Sequence, residues 1–143
     1  MNLRVSEPNE DKRQKLNELN YRVLGLAIEV HRVLGPGLLE SAYEEALAHE
    51  FAQAKLSFQR QLEVPLLYKG LRLSCDYRLD FLIEDLLILE LKSVGGLLPL
   101  HHAQLLTYLR LMQRPIGLLI NFNVPALKDG IKCIAYGDLF RSS

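Results

Sequence analysis

The hydrophobic positions of this chain change period twice. From Asn17 to Leu34 the apolar residues Leu19, Val23, Leu26, Ala27, Val30 and Val33 recur at helical spacing. Gly35-Pro36-Gly37 ends that helix. A second helix is predicted from Leu38 to Ala54, with Leu39, Ala42, Tyr43, Ala46, Leu47 and Phe51 as its apolar stripe. The pattern then alternates, the signature of strands. Leu62, Val64, Leu66 and Tyr68 predict a strand over 62–68, and Lys69-Gly70 a turn. Leu71 to Ile83 alternates as one long second strand, Glu84-Asp85 turns the chain again, and Leu86 to Ser93 is a third strand. Three strands joined by short turns form an antiparallel meander. Helical spacing returns from His101 to Met112 through Leu105, Leu106 and Leu109. Ile116 to Phe122 then reads as a buried strand and Ile131 to Tyr136 as an edge strand. The expected fold is α/β, with an α-β-β-β-α-β core behind an extra N-terminal helix and a mixed sheet flanked by helices.

Residues 1–15 are polar and read as a flexible tail, leaving 16–143 as a single domain, in keeping with a length of 143 residues. The 17 basic and 17 acidic side chains cancel, so composition supplies no bulk attraction to a polyanion, although a local basic groove stays open. Cys75 and Cys133 lie in strand-like runs and read as buried thiols of a reducing compartment, not as a disulfide framework. The first residues contain no apolar core of a signal peptide, and no apolar run reaches the ~18 residues of a membrane span. A cytoplasmic protein without membrane contact is expected.

The third strand, ILELKS, carries Glu90 and Lys92 in a stretch that otherwise reads as core. Residues two apart on a strand share a face, and such charges are almost never fully buried unless paired. Pairing Ile83 with Leu86 across the turn brings Asp80 opposite Leu89 and within a residue of Glu90. Two carboxylates so close repel unless a cation lies between them, and either Lys92 or a divalent ion can serve. One reading is a structural salt bridge. The other is a metal site with Lys92 beside a reactive water.

Asp80, Glu90 and Lys92, with ILELK after a hairpin, resemble the motif of the PD-(D/E)XK nuclease superfamily, although Leu79 stands where the motif's leading proline would be. Gly37-Leu-Leu-Glu40-Ser-Ala-Tyr43 resembles the GxxExxY signature of a family assigned to that superfamily, as do the surrounding AIEVHRVLGPGLLESAYEEAL, HAQLLTYL and GLLINF. The resemblance covers residues 19–136 and implies a restriction-endonuclease-like fold and a metal-dependent nuclease acting on nucleic acid, DNA in preference to RNA. By the same resemblance Asp80 and Glu90 ligate Mg²⁺ or Mn²⁺ with the carbonyl of Leu91, Lys92 is the catalytic lysine, and Glu40 is the helix-borne acid that assists the metal. Glu40 also suits a helix N-terminus for purely electrostatic reasons, and Tyr43 fits either the core or the substrate side.

Gln104 and Tyr108 fit QxxxY, which resembles the motif of RecB-type exonucleases, and residues four apart share a helix face. Gln104 is therefore expected at the catalytic site, and Tyr108 against substrate. His101, near the start of the same helix, lies where backbone N–H groups attract phosphate. Two other readings compete: a nucleic-acid or nucleotide binding module without turnover, and a structural protein whose charges merely pair. Leu97, Leu98 and Leu100 suggest a homodimer surface.

Overall fold

The structure, a computed structural model, describes residues 8–137. The chain opens with α1 (Pro8–Leu34), so residues 8–15 are helical and not the tail that their polarity suggested. Residues 1–7 of that expected tail lie outside the described residues. Leu16, Leu19, Val23, Ala27 and Val30 form the buried stripe of α1. Gly35, at φ +70°, closes the helix by donating its N–H to the His31 carbonyl at 2.8 Å. Helix α2 (Glu40–Gln53) buries Tyr43, Leu47 and Phe51, one residue per turn.

Among the described residues the strands that follow are β1 (Phe58–Glu63), β2 (Leu67–Tyr68), β3 (Leu71–Arg72), β4 (Arg78–Ile83), β5 (Leu87–Lys92), β6 (Ile116–Asn121) and β7 (Ile131–Ala135). Helix α3 (Pro99–Met112) links β5 to β6, and a short 3-10 turn (Leu127–Gly130) precedes β7. The main sheet has the order β1-β4-β5-β6-β7. Among the described residues β5 and β6 are the parallel pair of this sheet, with α3 as the crossover; the other pairs are antiparallel. The fold is thus the expected helix-flanked mixed sheet.

Strands β2 and β3 form a separate ribbon between β1 and β4. Its turn is Lys69-Gly70, both at positive φ, which matches the hairpin preference for left-handed turn residues. The long second strand expected over 71–83 is therefore two pieces. Residues 73–77 are irregular, and Leu67, Tyr68, Leu71 and Tyr77 stay exposed.

Two apolar clusters cover the two faces of the main sheet. One joins α1 and α2 to Phe81, Ile83, Leu87, Leu89 and Leu91, together with Ile116, Leu118 and Ile120. The other joins Leu105, Tyr108 and Leu109 of α3 to Leu79, Leu82, Ile88 and Leu119. Alternation along β5 therefore sends Leu87, Leu89 and Leu91 toward α1 and α2, and places Glu90 on the face of Ile88 and α3. Gly117 lets α3 come close to the sheet: a Cβ there would lie 2.9 Å from the Leu105 side chain. Cys75 and Cys133 are both free and exposed, not buried as expected: Cys75 lies in the irregular stretch 73–77 and Cys133 on the terminal strand β7.

Tyr43 belongs to the core. Its ring stacks on Phe122 at 4.4 Å. Its hydroxyl donates to the Gly35 carbonyl at 2.6 Å and accepts the Leu38 N–H at 3.1 Å, bracing the Gly-Pro-Gly turn. Tyr43→Phe leaves both backbone groups without that partner, so it should destabilise the fold by about 1–3 kcal/mol in urea titrations while leaving cation binding unchanged.

Candidate functional site

The site begins at the turn between β4 and β5. Residues 84–86 form it, with Glu84 and Asp85 at φ +51° and +56° and the Leu86 N–H bonded to the Ile83 carbonyl at 3.0 Å. The turn is one residue longer than the two-residue turn expected. Ile83 pairs with Leu87, Leu82 with Ile88 and Phe81 with Leu89. That register carries Asp80 opposite Glu90, not opposite Leu89. A shift of one residue decides which side chains share a face, and here it puts both carboxyls on one side.

The backbone ladder stops at Phe81 and Leu89, and side chains take over. The Asp80 N–H donates to Glu90 Oε1 at 3.0 Å, and the Leu91 N–H donates to Asp80 Oδ2 at 2.8 Å. Each acid thus replaces a backbone acceptor where the two strands part. Glu90 is only 5% exposed. Burial pushes its carboxyl well above the ordinary range, and the charge of Asp80 pushes it further; the Asp80 N–H and the Lys92 ammonium pull it back. Burial raises Asp80 too, against the Leu91 and Gln61 hydrogen bonds, while the charge of Glu44 raises it further.

Lys92 is half-buried, and it is near enough for its charge to be felt by both acids. Among the described residues it forms no ion pair with either, so the structural salt bridge between Glu90 and Lys92 is not formed. On the facing helix, Gln104 Nε2 donates to the Tyr108 hydroxyl at 3.1 Å. Burial, followed by the charge of Glu90, lifts the Tyr108 hydroxyl to about 12. Asp80, Glu90, Lys92, Gln104 and Tyr108 are therefore brought together.

Three expected site residues have other surroundings or partners in the structure. Tyr43 is in the core, as described above. His101 turns its ring back on its own helix, where Nδ1 accepts the Leu98 N–H at 3.0 Å, because the helix start has no other side-chain cap. Glu40 is exposed at the first residue of α2. Among the described residues no group of three Asp, Glu, His or Cys side chains lies close enough to hold a metal, so Glu40 does not join Asp80 and Glu90 in a cluster. The α2 acid coupled to Asp80 is Glu44, one turn further on. Gln61 of β1 bridges the two, donating to Asp80 Oδ1 at 3.1 Å and to Glu44 Oε1. Neither Glu44 nor Gln61 was among the expected site residues. The signal for Glu44 was its position four residues after Glu40, on the same helix face.

The donor set suits a hard cation. Two carboxyls meet in a buried place where both cannot ionise freely without a positive partner. Mg²⁺ is commonly held by one or two carboxylates with water completing its shell. The fold is an α/β domain with an acid pair and a lysine at the point where two antiparallel strands part. A family model for the PD-(D/E)XK nuclease superfamily matches residues 17–134, and the chain belongs to that superfamily. Its members are generally hydrolytic nucleases that use divalent metals, which implies a nucleic-acid substrate. No curated protein and no solved structure matches the chain. No helix among the described residues is long and apolar enough to cross a membrane.

Proposed function

We propose that this chain is a metal-dependent nuclease of the GxxExxY type that hydrolyses phosphodiester bonds, in DNA rather than RNA, with Mg²⁺ or Mn²⁺. The observation that carries the reading is the meeting of Asp80 and Glu90 at the opened end of the β4–β5 ladder, with Lys92, which forms no ion pair among the described residues, two positions further along the strand. A functionless charged pair in this position would be expected to close into a salt bridge.

Asp80 and Glu90, with the Leu91 carbonyl, would hold the cation. When bound, it supplies an acidified water and a positive field for charge developing on the phosphate. Lys92, without an ion pair among the described residues, would orient a water, take part in its proton transfer, or neutralise the developing charge. Gln104, bonded to Tyr108, offers an amide to a phosphate oxygen, as in the RecB-type QxxxY arrangement it resembles. Glu40, exposed on the Glu44 face of α2, can act through water. The ribbon of β2 and β3 springs from the ends of β1 and β4 beside Asp80. It exposes Tyr68 with the Lys69 ammonium over its ring, a pairing suited to bases and phosphates.

The test is a cleavage panel on linear DNA, circular DNA and RNA with Mg²⁺, Mn²⁺ or EDTA, with Glu90→Ala as the control. Metal-dependent cutting by the wild type and none by the variant is the expected result. Binding without cutting in every arm would instead make the chain a nucleic-acid binding module. In the same reading the exposed Leu98 and Leu100 serve a homodimer of this cytoplasmic protein. Sedimentation should then give a mass near twice 16.3 kDa, and a single-chain mass at high concentration would reject that part.

A further inference from the structure

Gln61 has an unusual backbone for a residue in the middle of a strand. Its φ is +49°, in the left-handed region that non-glycine residues seldom occupy. Such strain persists where surrounding structure enforces it, and it gathers at functional sites. Arg60 pairs with Phe81 and Leu62 with Leu79, so Gln61 stands directly across from Asp80. The strand also turns over at this point. Phe58 packs with the α1 and α2 cluster, whereas Leu62, of the same parity, packs with the α3 cluster. Strand β4 does likewise, with Phe81 on one side and Leu79 on the other. Both strands twist at the Gln61–Asp80 step.

The side chain uses that geometry. Gln61 Nε2 gives one hydrogen to Asp80 Oδ1 at 3.1 Å and another to Glu44 Oε1. Ionised carboxylates only accept, so the NH₂ end of the amide must face them. Glu44 is fixed in turn by Arg60, whose guanidinium reaches Glu44 at 2.8 Å and Glu45 at 2.6 Å. With the Leu91 N–H on Oδ2, both oxygens of Asp80 are held.

We propose that Gln61 is a positioning residue of the metal site, its amide aiming the Asp80 carboxylate and tying it to Glu44 on α2. The inference rests on the metal-site reading above. Hydrogen-bond partners that orient ligands commonly contribute 10- to 100-fold to metal affinity. A residue serving only the fold would show its effect in stability instead.

The experiment is a Mn²⁺ titration of the wild type and Gln61→Gly by calorimetry, beside thermal melts of the metal-free proteins. Glycine adopts the positive φ without strain. The expected result is a loss of Mn²⁺ affinity of about 10- to 100-fold with a metal-free melting temperature that holds or rises. Equal affinity in the two proteins would overturn the inference and leave the nuclease reading intact. A wild type that does not bind Mn²⁺ would overturn both. If the glycine variant fails to fold, Gln61→Asn decides by the same titration. Asparagine tolerates the left-handed region, but its amide is one methylene too short to bridge both acids. Weakened binding supports the inference, and unchanged binding overturns it.

Discussion

Lys92→Ala should fold, bind Mn²⁺ and fail to cut. The side chain is half-buried and holds no ion pair among the described residues, so its removal opens no network that supports the sheet. Had Lys92 been the structural partner of Glu90, the same change would leave a buried charge without its partner, at about 3–5 kcal/mol. The present geometry predicts a small change in the urea midpoint instead. A general acid or base contributes about 100- to 10,000-fold to a rate, and cleavage should fall by that order. Calorimetric Mn²⁺ affinity should stay near the wild-type value, because an ammonium is not a ligand. A variant that barely folds would return Glu90 and Lys92 to a structural role.

Glu90→Gln should have the opposite profile, stabilising the metal-free protein while removing function. Burial and the neighbouring Asp80 both raise the Glu90 carboxyl well above its ordinary 4.5. A carboxyl raised on folding binds its proton more tightly in the native state. Its contribution to stability is therefore fully present below the unfolded value and is lost as pH rises through the folded one. Metal-free wild type should thus lose stability from about pH 4.5 upward through the raised Glu90 value. The glutamine variant should lack that slope. Its carbonyl can still accept the Asp80 N–H, and its neutral amide does not repel Asp80. At neutral pH it should melt higher than metal-free wild type, by about 4 °C for each kcal/mol regained. It should also lose the melting shift that Mg²⁺ or Mn²⁺ gives the wild type, together with cleavage. A lower melting temperature at neutral pH without metal would show that the Glu90 charge is already compensated by other means.

The change from helical to alternating spacing located most of the elements, because each buries one face against a neighbour and writes that face into its period. What it could not show was register. The β4–β5 turn takes Leu86 as a third residue, so that Ile83 pairs with Leu87, although Glu84 and Asp85 by themselves look like a two-residue turn. The step from Leu89 to Glu90 as the partner of Asp80 follows from that turn alone. Glu40 and Tyr43 illustrate a second limit. A motif gives residue types and spacing, but the direction of a side chain depends on where its helix starts. Since α2 begins at Glu40, the turn carrying Glu44 is the one that reaches β1. Tyr43 points inward onto Phe122. The place of His101 at a helix start suggests a phosphate contact, and there its Nδ1 also caps its own helix. Gln104 and Tyr108 were legible because four-residue spacing on a helix needs no knowledge of register.

The exchange of ladder bonds for carboxylate bonds at Asp80 and Leu91 has a spectroscopic consequence. These two backbone N–H groups donate to the acids that would hold the cation, at 3.0 and 2.8 Å. When an ion draws electron density from a carboxylate, an amide hydrogen bonded to it is less strongly polarised, and its resonance moves. The amide signals of residues 80 and 91 thus form a pair of internal reporters, one for each acid. They allow occupancy to be followed by titration in the absence of any substrate, and they separate an ion seated between the acids from one attracted loosely to the surface.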